Sequence, residues 1–173
     1  MGQYWVVVNL DKKEFVSPHK LGCGLKLWEQ VANHPSTGTA LLILCAAMPE
    51  PRGGGDLEEN PIIGHWAGDR IAIVGDYAED SDLPAEFQAS QIYKRCQAEV
   101  KQVYTKKPAK DADMNIRDMT DGPNRGMYYH FEEVSPPEYK DVSDDVTAVI
   151  EHELQGKFEG TGWREFVRSN EGA

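Results

Sequence analysis

The chain has 173 residues, of which 40% are hydrophobic, and its 18 Lys and Arg against 29 Asp and Glu give a formal net charge of −11. A chain of this length can bury one substantial core, so we expect a single domain over residues 1–173. An acidic surface repels phosphate backbones and anionic lipids, which disfavours nucleic-acid and membrane partners.

The N-terminal residues predict a β-hairpin followed by a short helix. Residues 4–10 are β-branched and aromatic, which is typical of a largely buried strand. A polar turn over residues 11–14 separates them from Phe15 and Val16, which begin the returning strand. The helix is predicted over residues 25–32, before Pro35, because the residue that precedes a proline avoids the helical region.

One apolar run has no clear period. Residues 39–48 are almost continuously apolar, a pattern shared by central strands and buried helices. We favour a strand because the run is short and is bounded by Gly38 and Pro49. Residues 49–60 follow as the clearest loop of the chain, since consecutive glycines carry a large entropic cost of ordering.

Residues 64–82 combine a strand pattern with ionisable groups. The apolar run at residues 71–74 is flanked by Gly68 and Gly75, which predicts an interior strand. Side chains at the ends of strands lie where loops carry function. The candidate ligand-binding residues are therefore the polar and aromatic ones that flank this run, namely His65, Trp66, Asp69, Arg70, Asp76 and Tyr77.

The second half of the chain adds helix and strand patterns. Apolar residues at three- and four-residue steps predict an amphipathic helix over residues 89–104. Residues 127–134 predict a strand, Ser143 begins a helix that ends at Gly156, and residues 158–167 are a last packed segment. The fold class is therefore α+β, with a mixed or mostly antiparallel sheet of about five strands and about three helices.

The glycine-rich loop supplies a candidate anion site. Arg52, Gly53, Gly54 and Gly55 present backbone N–H groups and one guanidinium, and such groups bind anions. A P-loop needs a Lys followed by Ser or Thr, which the next two residues do not supply, and the dinucleotide spacing GxGxxG does not occur there. A surface loop with no ligand explains the same residues.

Trp66 offers a ring on which a planar ligand would stack, with Asp69 and Arg70 to hold it. The structural alternative is a Trp66 in the core and an ion pair between Asp69 and Arg70 that anchors the loop. A ligand site needs convergent polar groups beside an aromatic wall. We therefore predict that Arg52, Trp66, Asp69, Arg70 and Asp76 converge on one concave surface, with the glycine loop near its rim.

The acidic residues do not complete a metal-binding motif. Asp76, Glu79, Asp80 and Asp82 lack the glycine and the closing glutamate of an EF-hand loop. The histidines show no HExxH spacing, and no serine stands in a GxSxG elbow. The sequence therefore assigns no metal ligand, no cofactor and no catalytic residue.

The three cysteines are odd in number and form no metal-type pair. We expect Cys45 and Cys96 to be buried and all three cysteines to be reduced. A helix start would expose Cys23 and stabilise its thiolate, but we favour a packing role for it. Residues 1–10 hold no basic region with a cleavable apolar segment, and no window reaches the ~18 apolar residues of a spanning helix. We therefore expect a soluble, cytoplasmic protein.

Two segments resemble an uncharacterised family of small soluble proteins. They are the opening MGQYW with VNLDK at residues 8–12, and WAGDRI at residues 66–71 with GDY at residues 75–77. The resemblance covers about the first half of the chain and implies no activity, cofactor or site residue.

Two functions fit these patterns. The first is binding of an anionic small molecule, with or without an enzymatic activity, by the glycine loop and the ends of the 71–74 strand. The second is a non-enzymatic interaction or inhibitor protein whose acidic surface docks on a basic surface of another protein. The clustering of Trp66, Asp69, Arg70 and Asp76 favours the first, which we choose, and the net charge of −11 favours the second.

Overall fold

The computed structural model describes residues 3–32, 35–47, 58–105 and 128–157. Within them the chain forms six strands and four α-helices, which confirms the predicted α+β class. In chain order these are β1 (Trp5–Asn9), β2 (Glu14–Val16), α1 (Leu27–Ala32), α2 (Thr37–Leu44), β3 (Ile71–Gly75), α3 (Ala89–Arg95), β4 (Glu99–Thr105), β5 (Tyr128–Ser135), β6 (Lys140–Asp141) and α4 (Ser143–Lys157). The chain divides into two compact units, Met1–Cys96 with Tyr139–Ala173, and Gln97–Glu138. The assignment of one domain to residues 1–173 stays a prediction.

The larger unit contains a four-stranded sheet in the order β3-β1-β2-β6. β1 pairs antiparallel with β2 and β3, whereas β6 pairs parallel with β2, so the sheet is mixed as predicted. The predicted hairpin is confirmed. The side-chain oxygen of Asn9 accepts the backbone N–H groups of Asp11 and Lys12 at 3.0 and 2.9 Å, which fixes the turn between β1 and β2.

The strand predicted over residues 71–74 is present, but its interior position is wrong. β3 lies at the edge of the sheet in the described part of the chain, and the side chain of Ile73 is 48% exposed. Val74 is only 3% exposed, because successive residues of a strand point to opposite faces. A short apolar run is therefore compatible with an edge strand that has one well-covered face.

Both faces of this sheet are covered by helices. Val7 and Val16 share one buried cluster with residues of α2 and α4. Val6, Val8 and Val74 point the other way and share a second cluster with Ile92 of α3. The alternation of valines along β1 thus builds two cores, one on each side of the sheet.

The strand predicted over residues 39–48 is wrong, because residues 39–44 belong to α2. Ser36 and Thr39 form a reciprocal capping box at its start, in which each side chain accepts the backbone N–H of the other residue. Ala40 and Leu44 are buried one helical turn apart, while Leu42 is 78% exposed. The capping box favours a helix in a segment whose apolar residues show neither a helical nor a strand periodicity.

The helix predicted over residues 89–104 is too long. α3 ends at Arg95, and Val103 and Tyr104 belong to β4 of the smaller unit. There β4 pairs antiparallel with β5, and Tyr104 and Tyr129 face each other with ring centroids 6.3 Å apart. Strand pairing over seven residues of β4 overrides a helical spacing that its apolar residues imitate.

The predicted strand at residues 127–134 and the predicted helix at Ser143 are both confirmed, as β5 and α4. Met127, the side chain of Leu154 and the segment 158–167 lie outside the described residues and side chains. Ser143 is the first residue of α4, and its N–H donates to the Asp141 carboxylate at 2.9 Å. Of the described helices, none is long and apolar enough to cross a membrane.

The three cysteines are free thiols, as predicted, but the predicted burial of Cys45 is wrong. Cys45 is exposed, whereas Cys23 and Cys96 are buried. Cys45 follows the last residue of α2, so its orientation is that of a helix end and not of the central strand expected there. The Cys23 sulfur lies 3.8 Å from the carbonyl oxygens of Leu21 and Pro35, which places it in the packing.

Candidate functional site

The loop that precedes β3 is held against the end of α2. The N–H groups of Gly64 and Trp66 donate to the last carbonyls of the helix, Ile43 at 2.8 Å and Leu44 at 2.7 Å. These contacts satisfy backbone acceptors that a helix end leaves unpaired. Gly64 has φ +75°, and a Cβ there would lie 2.4 Å from the carbonyl oxygen of Ala46, so only glycine fits.

Trp66 is fully buried, so the predicted stacking of a ligand on its ring is wrong. Its side chain is 0% exposed within the core between the sheet and α2 and α4. Its indole N–H donates to Glu14 Oε2 at 2.7 Å. A buried indole with a satisfied donor anchors the loop, in keeping with the structural alternative for this residue.

Glu14 is the acceptor around which the loop is organised. It is 7% exposed and accepts, besides the indole of Trp66, the imidazole of His65 at 2.9 Å. A buried carboxylate needs such partners because an unpaired buried charge is strongly destabilising. Sequence reasoning missed Glu14, although one signal existed. It shares a strand face with the buried Val16, where a polar residue requires a partner.

Asp69 is bound by the hairpin turn and not by Arg70. Its carboxylate accepts Asn9 Nδ2 at 2.7 Å and forms an ion pair with Lys12, whose ammonium also donates to the carbonyl of His65. The ammonium of Lys12, followed by the amide of Asn9, holds the pKa of Asp69 below its usual range. We call Asn9, Lys12, Glu14, His65 and Asp69 the turn cluster.

Arg70 points away from the turn cluster. Its side chain and backbone N–H bind the two carboxylate oxygens of Asp11, with Nε at 2.8 Å and the backbone N at 2.7 Å. The guanidinium also lies 4.6 Å from the ring centre of Phe87 and 3.4 Å from Glu86. Its hydrogen bonds hold the pKa of Asp11 below the usual range. Lys12 and Arg70 are thus each paired with a carboxylate.

Asp76 and Tyr77 lie beyond the opposite end of β3, about 17 Å of strand from Asp69 and Arg70. Asp76 Oδ1 accepts the backbone N–H of Tyr4 at 3.0 Å, and Tyr77 is 58% exposed. The strand therefore separates the candidate residues into two groups instead of bringing them together. Arg52 and the Gly53–Gly55 loop lie outside the described residues.

A groove of about 230 Å³ opens beside Tyr77, at the edge of the sheet. We call it the edge groove; its lining includes Gln3, Trp5, Ile73, Tyr77, Asp82 and Leu83. Gly75 is part of the lining, and a Cβ added to it would lie 2.8 Å from Gln3 Nε2 and 3.5 Å from the ring of Trp5. The sequence pattern gives no indication of this groove, since its walls come from the N-terminus, from β3 and from the segment before α3.

Three carboxylates lie in or next to the lining of the edge groove. Asp82 is part of the lining, and Asp76 and Glu79 are the sequence neighbours of the lining residues Tyr77 and Ala78. We call these three carboxylates the rim. Asp76, Glu79 and Asp82 accept backbone N–H groups, but in the described part of the chain no Lys or Arg forms an ion pair with them. Across the described ranges, no three His, Cys, Asp or Glu side chains are placed to hold a metal ion. Asp80 binds the start of α3, where its Oδ1 accepts the hydroxyl of Ser90 at 2.7 Å.

Comparison with protein-family models, curated proteins and solved structures gave no match. The resemblance of residues 1–12 and 66–77 to an uncharacterised family therefore stays an expectation.

Proposed function

We propose that this protein binds another protein through the edge groove and is not a receptor for an anionic small molecule. One observation carries the proposal. The turn cluster, which includes His65 and Asp69, pairs Lys12 with Asp69 and Glu14 with His65, whereas the rim of the edge groove presents Asp76, Glu79 and Asp82 without a described cationic partner. A carboxylate that already faces a cation stabilises the fold, whereas a carboxylate that accepts only a backbone N–H group still attracts a cation of a partner.

The size of the edge groove supports a protein partner. Pockets for small molecules and cofactors typically enclose about 300–1,000 Å³. The edge groove has about 230 Å³ and is lined by Ile73, Tyr77 and Leu83 beside Asp82. This volume suits one or two apolar side chains of a partner better than a nucleotide or a sugar phosphate.

The charge of the chain supports a basic partner. The net charge is −11, and the rim adds a local concentration of carboxylates next to an apolar groove. Complementary charge raises the rate of association and suppresses partners of the same sign. In a partner with an apolar residue flanked by Lys or Arg, the apolar side chain would fill the groove and the cations would pair with the carboxylates of the rim.

The hypothesis of an enzymatic activity has less support. Cys45 is the one exposed cysteine, but burial and the nearby Asp69 both raise the pKa of its thiol, so the reactive thiolate is disfavoured. His65 is held by the buried Glu14, and Arg70 by Asp11. We also propose a cytoplasmic location, since three free thiols suit a reducing compartment.

The proposal is tested by calorimetric titration with a capped heptapeptide of alternating lysine and valine. We expect salt-dependent binding that weakens about three- to tenfold in the double variant Asp76→Asn/Asp82→Asn, because each exposed charge contributes a fraction of a kcal/mol. Both asparagines keep an oxygen that accepts the existing backbone hydrogen bonds.

The matched control is the double variant Asp145→Asn/Glu151→Gln on α4, which changes the net charge equally at exposed positions. It should retain the wild-type affinity within about twofold. Equal weakening by both double variants, or no binding of the peptide, would contradict the proposal. A rise in melting temperature with inorganic phosphate or ATP would instead favour the small-molecule hypothesis, because a ligand at about 100 times its Kd adds ~2.7 kcal/mol of stability.

A further inference from the structure

The hydrogen-bond pattern of β3 leaves half of its backbone groups pointing away from the sheet. The N–H of Leu10 donates to the carbonyl of Arg70 at 2.9 Å, and the N–H of Asp76 donates to that of Tyr4 at 3.0 Å. In an antiparallel pair such hydrogen-bonded positions alternate along the strand. Residues 70, 72, 74 and 76 therefore bond to β1, while Ile71 and Ile73 direct their N–H and C=O groups outward.

The outer edge of β3 has no strand beside it within the described residues. Natural edge strands are usually protected from pairing by Lys, by Pro or by a bulge. β3 reads IAIVG, contains none of these residues and is paired with β1 in an unbroken register. The carbonyl of Gly75 is occupied by the N–H of Ala78, so the open part of the edge is centred on Ile73.

We infer that the partner is an extended segment of another protein, which adds as a strand to the open edge of β3 and places an apolar side chain in the edge groove. The inference rests on the proposed function and specifies its recognition mode. Backbone bonds to Ile71 and Ile73 would give affinity, and the groove would select alternate apolar side chains. The rim at Asp76 and Asp82 would select Lys or Arg between or beside them.

Charge complementarity decides between this occupant and a second copy of the chain. Edge-to-edge pairing of two copies would bring two acidic rims together, each in a chain of net charge −11. Like charges at close range oppose such an association. A basic extended segment would instead be attracted to this edge by the carboxylates of the rim.

The direct test is the variant Ile73→Pro, measured against Ile73→Ala by titration with the lysine–valine heptapeptide. Proline at residue 73 removes an outward N–H and leaves the hydrogen bonds to β1 in place, because proline is tolerated on an edge strand whose N–H faces outward. We expect about tenfold weaker binding for Ile73→Pro than for Ile73→Ala, since a donor to the added strand is lost and the ring obstructs pairing. Equal affinities of the two variants would overturn the inference.

A second measurement leaves the protein unchanged. In a strand, the N–H groups of alternate residues point to the same side. Two peptides should therefore differ, one methylated on the backbone nitrogens of all valines and the other on the backbone nitrogens of all lysines. The affinity of one should fall about tenfold or more, and that of the other should equal the affinity of the parent peptide. Equal behaviour of the two peptides would contradict strand addition.

The outcomes separate this inference from the proposed function. If Ile73→Pro binds like Ile73→Ala while Asp76→Asn/Asp82→Asn is still weakened, strand addition is wrong and the acidic docking site stands. If neither change weakens binding, both are wrong. If sedimentation velocity shows a dimer that Ile73→Pro abolishes, a second copy of the chain is the occupant.

Discussion

The turn cluster and the edge groove lie at opposite ends of β3 and use the same kinds of residue in opposite ways. In the turn cluster, Asp69 binds Lys12 and Asn9, and the buried Glu14 binds His65. At the edge groove, Asp76 and Asp82 carry charges that no described cation neutralises. Both regions contain carboxylates and aromatic rings, but only the second has bonding capacity that the fold does not use.

The difference shows that clustering in sequence is weak support for a binding site. His65, Trp66, Asp69 and Arg70 are close in sequence because they fasten one loop to the hairpin turn and to α2. Asp69 pairs with Lys12 and Arg70 with Asp11, although the two residues are adjacent in sequence. The more useful criterion is whether a polar group or a strand edge still lacks a partner after folding.

The largest expected effect is at the anchor of the turn cluster. Trp66→Ala should destabilise the protein by about 3–5 kcal/mol, because it leaves a cavity in the core and removes a donor to buried Glu14. Urea unfolding measures the change. Trp66→Phe separates the two contributions, since it keeps much of the ring and should cost about 1–3 kcal/mol for the lost hydrogen bond. A cost below about 1 kcal/mol for Trp66→Ala would mean that the indole is not in the core.

The loop before β3 offers a comparison of two glycines. Gly64 has φ +75°, and a Cβ added to it would lie 2.4 Å from the carbonyl oxygen of Ala46, whereas Gly68 has φ +84° and a Cβ there would meet nothing within 4 Å. Gly64→Ala should therefore cost about 3 kcal/mol or more, and Gly68→Ala about 1 kcal/mol from backbone strain alone. Chemical denaturation of the two variants tests the order, and the reverse order would refute the docking of this loop on α2.

Two neighbouring prolines test the register of β3. Ala72→Pro removes a hydrogen bond to Val8 and should cost about 1–3 kcal/mol, because a buried acceptor loses its donor. Ile73→Pro removes only an outward N–H and should cost under about 1 kcal/mol. Thermal melting of both variants decides the matter. Equal destabilisation would mean that the outer edge of β3 is not open.

The smallest effect concerns the pH dependence of the turn cluster. The pKa of Asp69 is lowered in the folded protein by Lys12 and then by Asn9. Its contribution to stability is therefore present above the usual carboxyl pKa and is lost as the pH falls through the lowered value. In Lys12→Met, carboxyl NMR titration should show the pKa of Asp69 moving back toward its usual range. The pKa of Asp80, which Ser90 lowers, should not move and serves as the control.

The spacing of apolar residues predicts those helices and strands in which it matches only one kind of element. β1 and β2 follow from β-branched residues around a polar turn, and α4 follows from Val146, Val149 and Ile150 at helical steps. The run at residues 39–48 has no period, so its conformation is decided by the capping box at Ser36. The helix predicted from residue 89 extends too far because Val100, Val103 and Tyr104 keep a helical spacing while they pair with β5.

The candidate site is predictable only in part. The sequence places Asp69 and Arg70 side by side, but their partners, Lys12 and Asp11, are set by how the loop lies on the hairpin turn. The burial of Glu14 is indicated by a polar residue on a buried strand face. The edge groove has no such signal, because Gln3, Ile73 and Asp82 meet only through the strand order, and the strand order is a property of the whole sheet.

The central claim is that the edge groove, and not the turn cluster, is the binding surface. Amide chemical-shift mapping of the ¹⁵N-labelled chain during titration with the lysine–valine heptapeptide tests it most directly. We predict that the amide resonances of Gln3, Ile71, Ile73, Tyr77 and Asp82 shift most, while those of Lys12, His65 and Asp69 do not move. Shifts centred on Lys12, His65 and Asp69, or spread evenly over the acidic surface, would contradict it.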